Sequence, residues 1–251
     1  MTEPKSTMWQ QGFGKRGTRM VVFALVAGVV LSSAASARHG RSVKHVFAFL
    51  GDSVMCSLYS PPGYPVLIKK KLNLSLHNLT TVDPPGPGYF IWQAKPLLVP
   101  RIPADTTDAV IGLGTDDILP VAEIELGIPI VDKGRKHHTL AALERDMTAL
   151  VKDLKKRHIR VFLITVKNYA YDPKWTQTPP LSHEVLAKMQ VVTDALDDFE
   201  LGLGAAVFDV RKYPELLASS TYTDGIHFNP AGLQLFVNDF STFLVKSGAT
   251  Q

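Results

Sequence analysis

The segment Tyr222-Thr-Asp-Gly-Ile-His-Phe-Asn-Pro-Ala-Gly232 places a carboxylate, Asp224, three positions before an imidazole, His227. At that spacing a carboxylate oxygen reaches the ring Nδ1–H within one turn, which fixes the tautomer and leaves Nε2 free to take a proton. A pair of this kind activates a nucleophile supplied from elsewhere in the chain. Ser53 is the candidate, because it follows the apolar run His45-Val-Phe-Ala-Phe-Leu50 and a glycine, which would present its hydroxyl at a strand-end turn. Gly-Asp-Ser alone is also a common turn, and an isolated Asp and His read as a turn former and a structural histidine. The ordered set Ser53, Asp224 and His227 carries the chemical reading. Cys56 is the lone cysteine, so no intramolecular disulfide forms, and it reads as a small buried hydrophobe. Asp116 and Asp117 have no further clustered ligands near them, so no metal site is implied. His137-His138 stands at a helix start and reads as solvated.

The elements that must position these groups follow from apolar periodicity. The run at 45–50 reads as a buried strand, 78–82 as a weaker one, and 108–113, 160–166 and 205–210 as three more, the third and fourth of the five rich in β-branched residues. Between 139 and 158, Leu140, Leu143, Met147, Leu150, Val151 and Leu154 recur at helical steps, with Arg145, Asp146, Lys152, Lys155 and Lys156 opposite. A second helix is expected over 182–200. A last one follows Asn229-Pro230, an N-cap and a first helical position, with Leu233, Phe236, Phe240, Phe243 and Leu244 on its core side. Alternating strands and helices imply a parallel sheet covered on both faces, with ligands bound beyond the carboxyl ends of the strands. That rule brings Gly51-Asp-Ser53, Pro84-Pro-Gly-Pro-Gly88, Gly114-Thr-Asp-Asp117 and the Asp224/His227 loop to one edge.

Those four segments, in that order and spacing, resemble the signature blocks of the SGNH (GDSL) hydrolases over essentially the whole chain beyond Ala37. The resemblance implies an α/β fold, a three-layer α/β/α sandwich with a flavodoxin-like parallel sheet, and ester hydrolysis through an acyl-enzyme without cofactor or metal. It matches Ser53 to the nucleophile, His227 to the general base and acid, and Asp224 to the residue orienting His227. The oxyanion hole would draw on the backbone N–H groups of Ser53 and of a second-block glycine, Gly88 in preference to Gly86. The family's third donor is an asparagine side chain, and Asp116 stands in its place. An ionised carboxylate repels an oxyanion, and loss of one such donor typically costs ~10²–10³ in kcat. Asp116 is protonated, or another donor such as Thr115 substitutes, or activity is low; substitution by another donor is preferred. Asp117 matches an aspartate that bonds to the loop. Met55 occupies the place of the second glycine of a Gly-x-Ser-x-Gly elbow, which disfavours the α/β-hydrolase arrangement.

Composition bounds the remaining readings. A chain of 251 residues, 45% hydrophobic and 20% charged, suits one globular domain, here 38–251. Of the net charge of +4, three units come from Lys5, Lys15, Arg16 and Arg19 against Glu3, so nothing suggests a nucleic-acid partner. The basic start, the apolar run Met20–Leu31 and the small residues ending at Ala37 have the layout of a signal peptide over 1–37. Cleavage would give a secreted or periplasmic protein, and retention a membrane anchor. Asn73-Leu-Ser and Asn78-Leu-Thr are glycosylation acceptors only in a eukaryotic secretory route. The leading expectation is an exported serine esterase acting on a small-molecule or glycan ester. The rivals are a silent member binding a cell-wall or carbohydrate ligand, and an O-acyltransferase or deacetylase of glycans. The loops Ser60–Tyr64 and Tyr169–Trp175 are candidate pocket walls, with Tyr169, Tyr171 and Trp175 either lining a cleft or covering a sheet edge.

Overall fold

Every residue from Val46 to Gly51 is buried, because this strand has a helical layer on each side and its side chains alternate between two cores. Phe47 and Phe49 point to an aromatic core, Ala48 and Leu50 to an aliphatic one. The computed structural model describes residues 45–56, 61–78, 89–129, 135–166 and 181–249. Gly86, Gly88, Tyr169, Tyr171, Trp175 and the N-terminal segment over 1–44 lie outside the described residues. In chain order the elements are β1 Val46–Gly51, α1 Ser53–Cys56, α2 Tyr64–Leu72, β2 Ser75–Asn78, α3 Ile91–Leu97, β3 Asp108–Gly112 and α4 Thr115–Glu125. They continue with α5 Leu140–Lys156, β4 Arg160–Ile164, α6 His183–Leu201, β5 Ala206–Phe208, α7 Pro214–Leu217 and α8 Pro230–Lys246.

The five strands pair in parallel in the order β2-β1-β3-β4-β5. Helices α3 to α6 supply the aliphatic core on one face, and α2 and α8 close the aromatic core on the other. This is the expected three-layer α/β/α arrangement. Phe162, Phe208, Phe236 and Phe240 fill the aromatic side, where Phe208 meets Phe236 and Phe240 edge-on at ring-centroid distances of 5.5 and 5.2 Å. The expected core face of the last helix is thus buried, with Phe243 packed at its margin.

Two expectations need correction. The second strand, expected over 78–82, begins earlier: the described strand is Ser75–Asn78, registered against Val46–Phe49, and 79–82 lie outside the described residues. It is an edge strand in which polar Ser75 and His77 alternate with Leu74 and Leu76, so it lacks the continuous apolar run of a central strand. His138 is fully buried rather than solvated, its ring 4.9 Å from that of Phe90 and at a steep angle.

Since β1 pairs with β2 on one side and β3 on the other, the direction in which successive strands are added to the sheet reverses between β1 and β3. Loops leaving those strands diverge there, which opens a crevice beyond their carboxyl ends. Register brings Gly51 opposite Gly112, and the Asp52 N–H donates to the Gly112 carbonyl at 3.3 Å.

Candidate active site

The turn after β1 delivers Ser53. Asp52 ends the strand and accepts the Val54 N–H at 3.0 Å, which turns the chain sharply into the short helix α1 and leaves Ser53 partly exposed at its first position. Met55, one turn on, packs its side chain between Gly51 and Gly112. A Cβ built on Gly51 would lie 2.6 Å from the Met55 sulfur, and one on Gly112 2.4 Å from its Cε, so both glycines are needed for this packing.

The second loop is self-organised. Asp224 Oδ1 accepts the N–H groups of Ile226 at 3.0 Å and His227 at 2.8 Å, and Oδ2 lies 2.8 Å from His227 Nδ1. Gly225 has φ 90°, a conformation that suits glycine, and lets the chain reverse between the acid and the imidazole. Around this turn Tyr222 and Phe228 pair antiparallel and stack at 4.8 Å. Asn229 then caps α8, as expected, its Oδ1 accepting the Gly232 N–H at 2.9 Å. The cap locks the loop to the helix, because Asn229 also bonds through its N–H to Thr221 and through its side chain to Ser220.

The two loops meet with His227 Nε2 3.1 Å from Ser53 Oγ. Burial would raise the Asp224 carboxyl, but hydrogen bonds from the His227 N–H, its ring and Ile226 hold it below the ordinary aspartate value. An ionised Asp224 accepts only, so Nδ1 carries the proton and the Ser53 hydroxyl donates to a bare Nε2. An arrangement of this order can withdraw a hydroxyl proton as the oxygen attacks an electrophilic carbon. All three residues singled out from the sequence are therefore brought together.

The turn after β3 completes the edge. Gly114, at φ 120°, leads into α4, where Asp117 is fully buried and accepts the Ile91 N–H at 3.0 Å. That bond ties α4 to the start of α3, directly after the second loop, in keeping with the structural part expected of Asp117. Burial and the charges of Asp116 and Asp52 push its carboxyl well above the ordinary range. Asp116, in the same turn, is also raised, by burial first, against the opposing influence of His227. Thr115, in the same turn, hydrogen-bonds through its side chain to Asp52, which favours the ionised form of that carboxyl.

Asp52 is the participant that sequence reasoning passed over. It is 1% exposed, and burial, then the charge of Asp116, push its carboxyl up to about 8. Its position between β1 and Ser53 was visible in the sequence, but its burial depends on β3, 60 residues away, through Gly112. A cavity of about 40 Å³ lies alongside, walled by Asp52, Met55, Tyr64, Thr115, Ile226 and Phe228. That leaves room for roughly three waters. Tyr64 thus lines a pocket, as expected of the Ser60–Tyr64 segment; Ser60 lies outside the described residues. Among the described residues, no three His, Cys, Asp or Glu side chains cluster as a metal-ligand set.

Asp197 supports the neighbouring strand end. Its Oδ1 accepts the Val166 N–H at 3.0 Å, and burial pushes its carboxyl up to about 8 despite the nearby Arg211 guanidinium. An acid whose folded value lies above its unfolded one adds stability that is complete below the unfolded value of 3.8 and is lost as pH rises through about 8. The unfolding midpoint is therefore expected to fall across that interval. Asp197→Asn should flatten part of the slope, and an unchanged slope in urea titrations would remove Asp197 from the account.

No family model matches the sequence, and no curated protein does either. Solved structures match in fold. An acetyl xylan esterase, AlAXEase, superposes with a TM-score of 0.53 at 16% identity, covering 78% of this chain and 98% of its own. The psychrotrophic esterase EstA from Pseudoalteromonas sp. gives 0.52 at 15%, covering 80% and 97%. A GDSL-like lipase from Bacteroides thetaiotaomicron gives 0.54 at 14%, covering 85% and 94%.

Proposed function

We propose, from a chain that has the fold of the SGNH (GDSL) hydrolases, that this protein is a serine-dependent carboxylic ester hydrolase. The observation that carries the reading is the continuous hydrogen-bond relay from Ser53 Oγ through the His227 ring to Asp224, set at the switch point of the sheet. Ser53 Oγ attacks the acyl carbonyl while His227 Nε2 takes its proton, and Asp224 holds the imidazolium that forms. The tetrahedral intermediate collapses as Nε2 returns the proton to the leaving alkoxide, which leaves the acyl group on Ser53. A water, deprotonated by the same nitrogen, then releases the carboxylic acid and restores the hydroxyl. The backbone N–H of Ser53 is one donor for the oxyanion, and the second-block glycine, Gly88, is the other backbone donor in this reading. Export rests on the layout of residues 1–37 alone.

The relay separates this reading from a silent binding protein. A serine-directed fluorophosphonate is expected to label the protein stoichiometrically, with the adduct on Ser53 by peptide mapping and no labelling of Ser53→Ala. An unlabelled, folded wild type would leave the silent reading standing. Hydrolysis and transfer to a glycan hydroxyl use the same residues. Products formed from an acyl ester with and without a glycan acceptor decide between them.

A further inference from the structure

The cavity beside Asp52 adjoins both halves of the relay. Asp52 and Val54, the chain neighbours of Ser53, wall it on one side, and Ile226 and Phe228, the chain neighbours of His227, wall it on the other. Val54, Thr115 and Ile226 are partly exposed, which puts its mouth where the two catalytic turns meet. Inward it is closed by Met55, Ile164, Val210, Tyr222, Phe228 and Phe236, all of them buried. These side chains come from α1, the end of β4, the turn after β5, the turn before α8 and α8 itself, so the floor is core. Tyr222 is held twice, by its stack on Phe228 and by its hydroxyl, which donates to the Leu216 carbonyl. Close-packed walls of this kind yield little to an oversized guest.

The wall selects an alkyl group. Its polar members are Asp52, two threonines and two tyrosine hydroxyls, and the rest of the lining is apolar. Thr165 Oγ already accepts the Val210 N–H at 2.9 Å. Burial, then the charge of Asp116, push the Asp52 carboxyl up to about 8, so at neutral pH it meets the cavity largely as an uncharged acid. A sugar ring would lose its water here without enough partners to replace it, whereas a short hydrocarbon gains by leaving water. The order of the reaction decides which half of an ester enters. The alcohol departs in the first step and water must take its place, so the alcohol belongs on the open side. The acyl group stays on Ser53 until the second step and suits the closed one.

We infer that this cavity receives the acyl group and restricts the substrate to short chains, from acetyl to butyryl. Its volume of about 40 Å³ has room for roughly three groups the size of a water. A butyryl chain has that many carbons beyond its carbonyl, and a hexanoyl chain overruns the floor.

The inference rests on the esterase reading, and its tests separate the two. For p-nitrophenyl esters, kcat/KM is expected to hold or rise from acetyl to butyryl, to fall at least about tenfold at hexanoyl, and to fall again at octanoyl. Ile164→Ala deepens the floor and should raise the hexanoyl-to-acetyl ratio at least about tenfold. Val210→Ile fills it and should lower the butyryl-to-acetyl ratio. Ratios taken on one preparation are insensitive to any loss of folded protein. A profile that stays flat or rises through octanoyl, or ratios that move in neither variant, would overturn the inference while leaving the esterase reading intact. A second readout needs no turnover. In Ser53→Ala carrying isotope-labelled methionine methyls, ethyl butyrate is expected to shift the Met55 methyl resonance, identified by its loss in Met55→Leu, and ethyl octanoate to leave it in place. A Met55 resonance that ignores ethyl butyrate, or that moves equally with both esters, overturns the assignment of the cavity even in a protein that hydrolyses nothing.

Discussion

Ser53→Ala is expected to lower kcat/KM for a short acyl ester by ~10⁴–10⁶ while leaving the unfolding midpoint within about a degree of wild type. The size follows from what the hydroxyl does. Without Oγ there is no covalent route, and His227 and Asp224 have no nucleophile to activate, so all three residues fail together. Residual catalysis would come from the oxyanion donors and substrate positioning. His227→Ala should lose nearly as much, and the double variant little more than either, because the relay acts as one unit. Steady-state kinetics on the three variants test this. Additive losses, or a Ser53→Ala enzyme within tenfold of wild type, would place the nucleophile elsewhere.

Gly232→Ala is expected to be the most damaging single methyl addition to the scaffold. A Cβ at this position would lie 2.1 Å from the Thr221 carbonyl oxygen and 2.8 Å from the Thr221 Cβ. The neighbour is backbone, which cannot rotate away, so either the start of α8 or the strand-like segment at Tyr222 must move. Overpacking of this kind costs typically 1–3 kcal/mol and occasionally more, and a clash with fixed backbone belongs at the upper end. At about 3 kcal/mol the thermal midpoint would drop by roughly 6–12 °C for a chain of this size. Catalysis should suffer as well, because Thr221 leads into the turn that carries Asp224 and His227. Gly127→Ala is the useful comparison. It also has positive φ, 76°, but nothing lies within 4 Å of its Cβ, so it bears only the conformational cost of about 1 kcal/mol. Equal midpoints for the two variants would show that the close approach at Thr221 is not a real constraint.

Much of this architecture was legible in the chain because its parallel strands are covered on both faces and therefore read as unbroken apolar runs. The stretch around Phe47 to Leu50 and the stepped leucines of α5 announced themselves by composition and period. The edge strand β2 did not, since half of it faces outward and alternates with Ser75 and His77. Helices α3 and α4 were also missed, each being short and carrying an internal proline, Pro96 and Pro120, that interrupts a helical pattern. At the site, Asp224 and His227 could be read because their partnership is local. The burial of Asp52, its bond from Thr115 and the enclosure of His138 could not, because each is created by chain segments that sequence leaves far apart.

The separations within the relay differ widely: Asp224 and His227 are three positions apart, whereas Ser53 and His227 are 174 positions apart. The acid and imidazole can associate within the turn closed by Tyr222 and Phe228 as soon as that turn forms. The nucleophile joins them only after β1, β3 and α8 have been assembled, since no local interaction spans that distance. Loop closure over such a span adds little to the final free energy, because each doubling of length costs only about 0.6 kcal/mol. It governs timing instead, because long-range parallel pairings form slowly. Recovery of the proposed hydrolysis during refolding is therefore expected to report on closure of the whole sheet, and to lag behind formation of the Asp224–His227 turn.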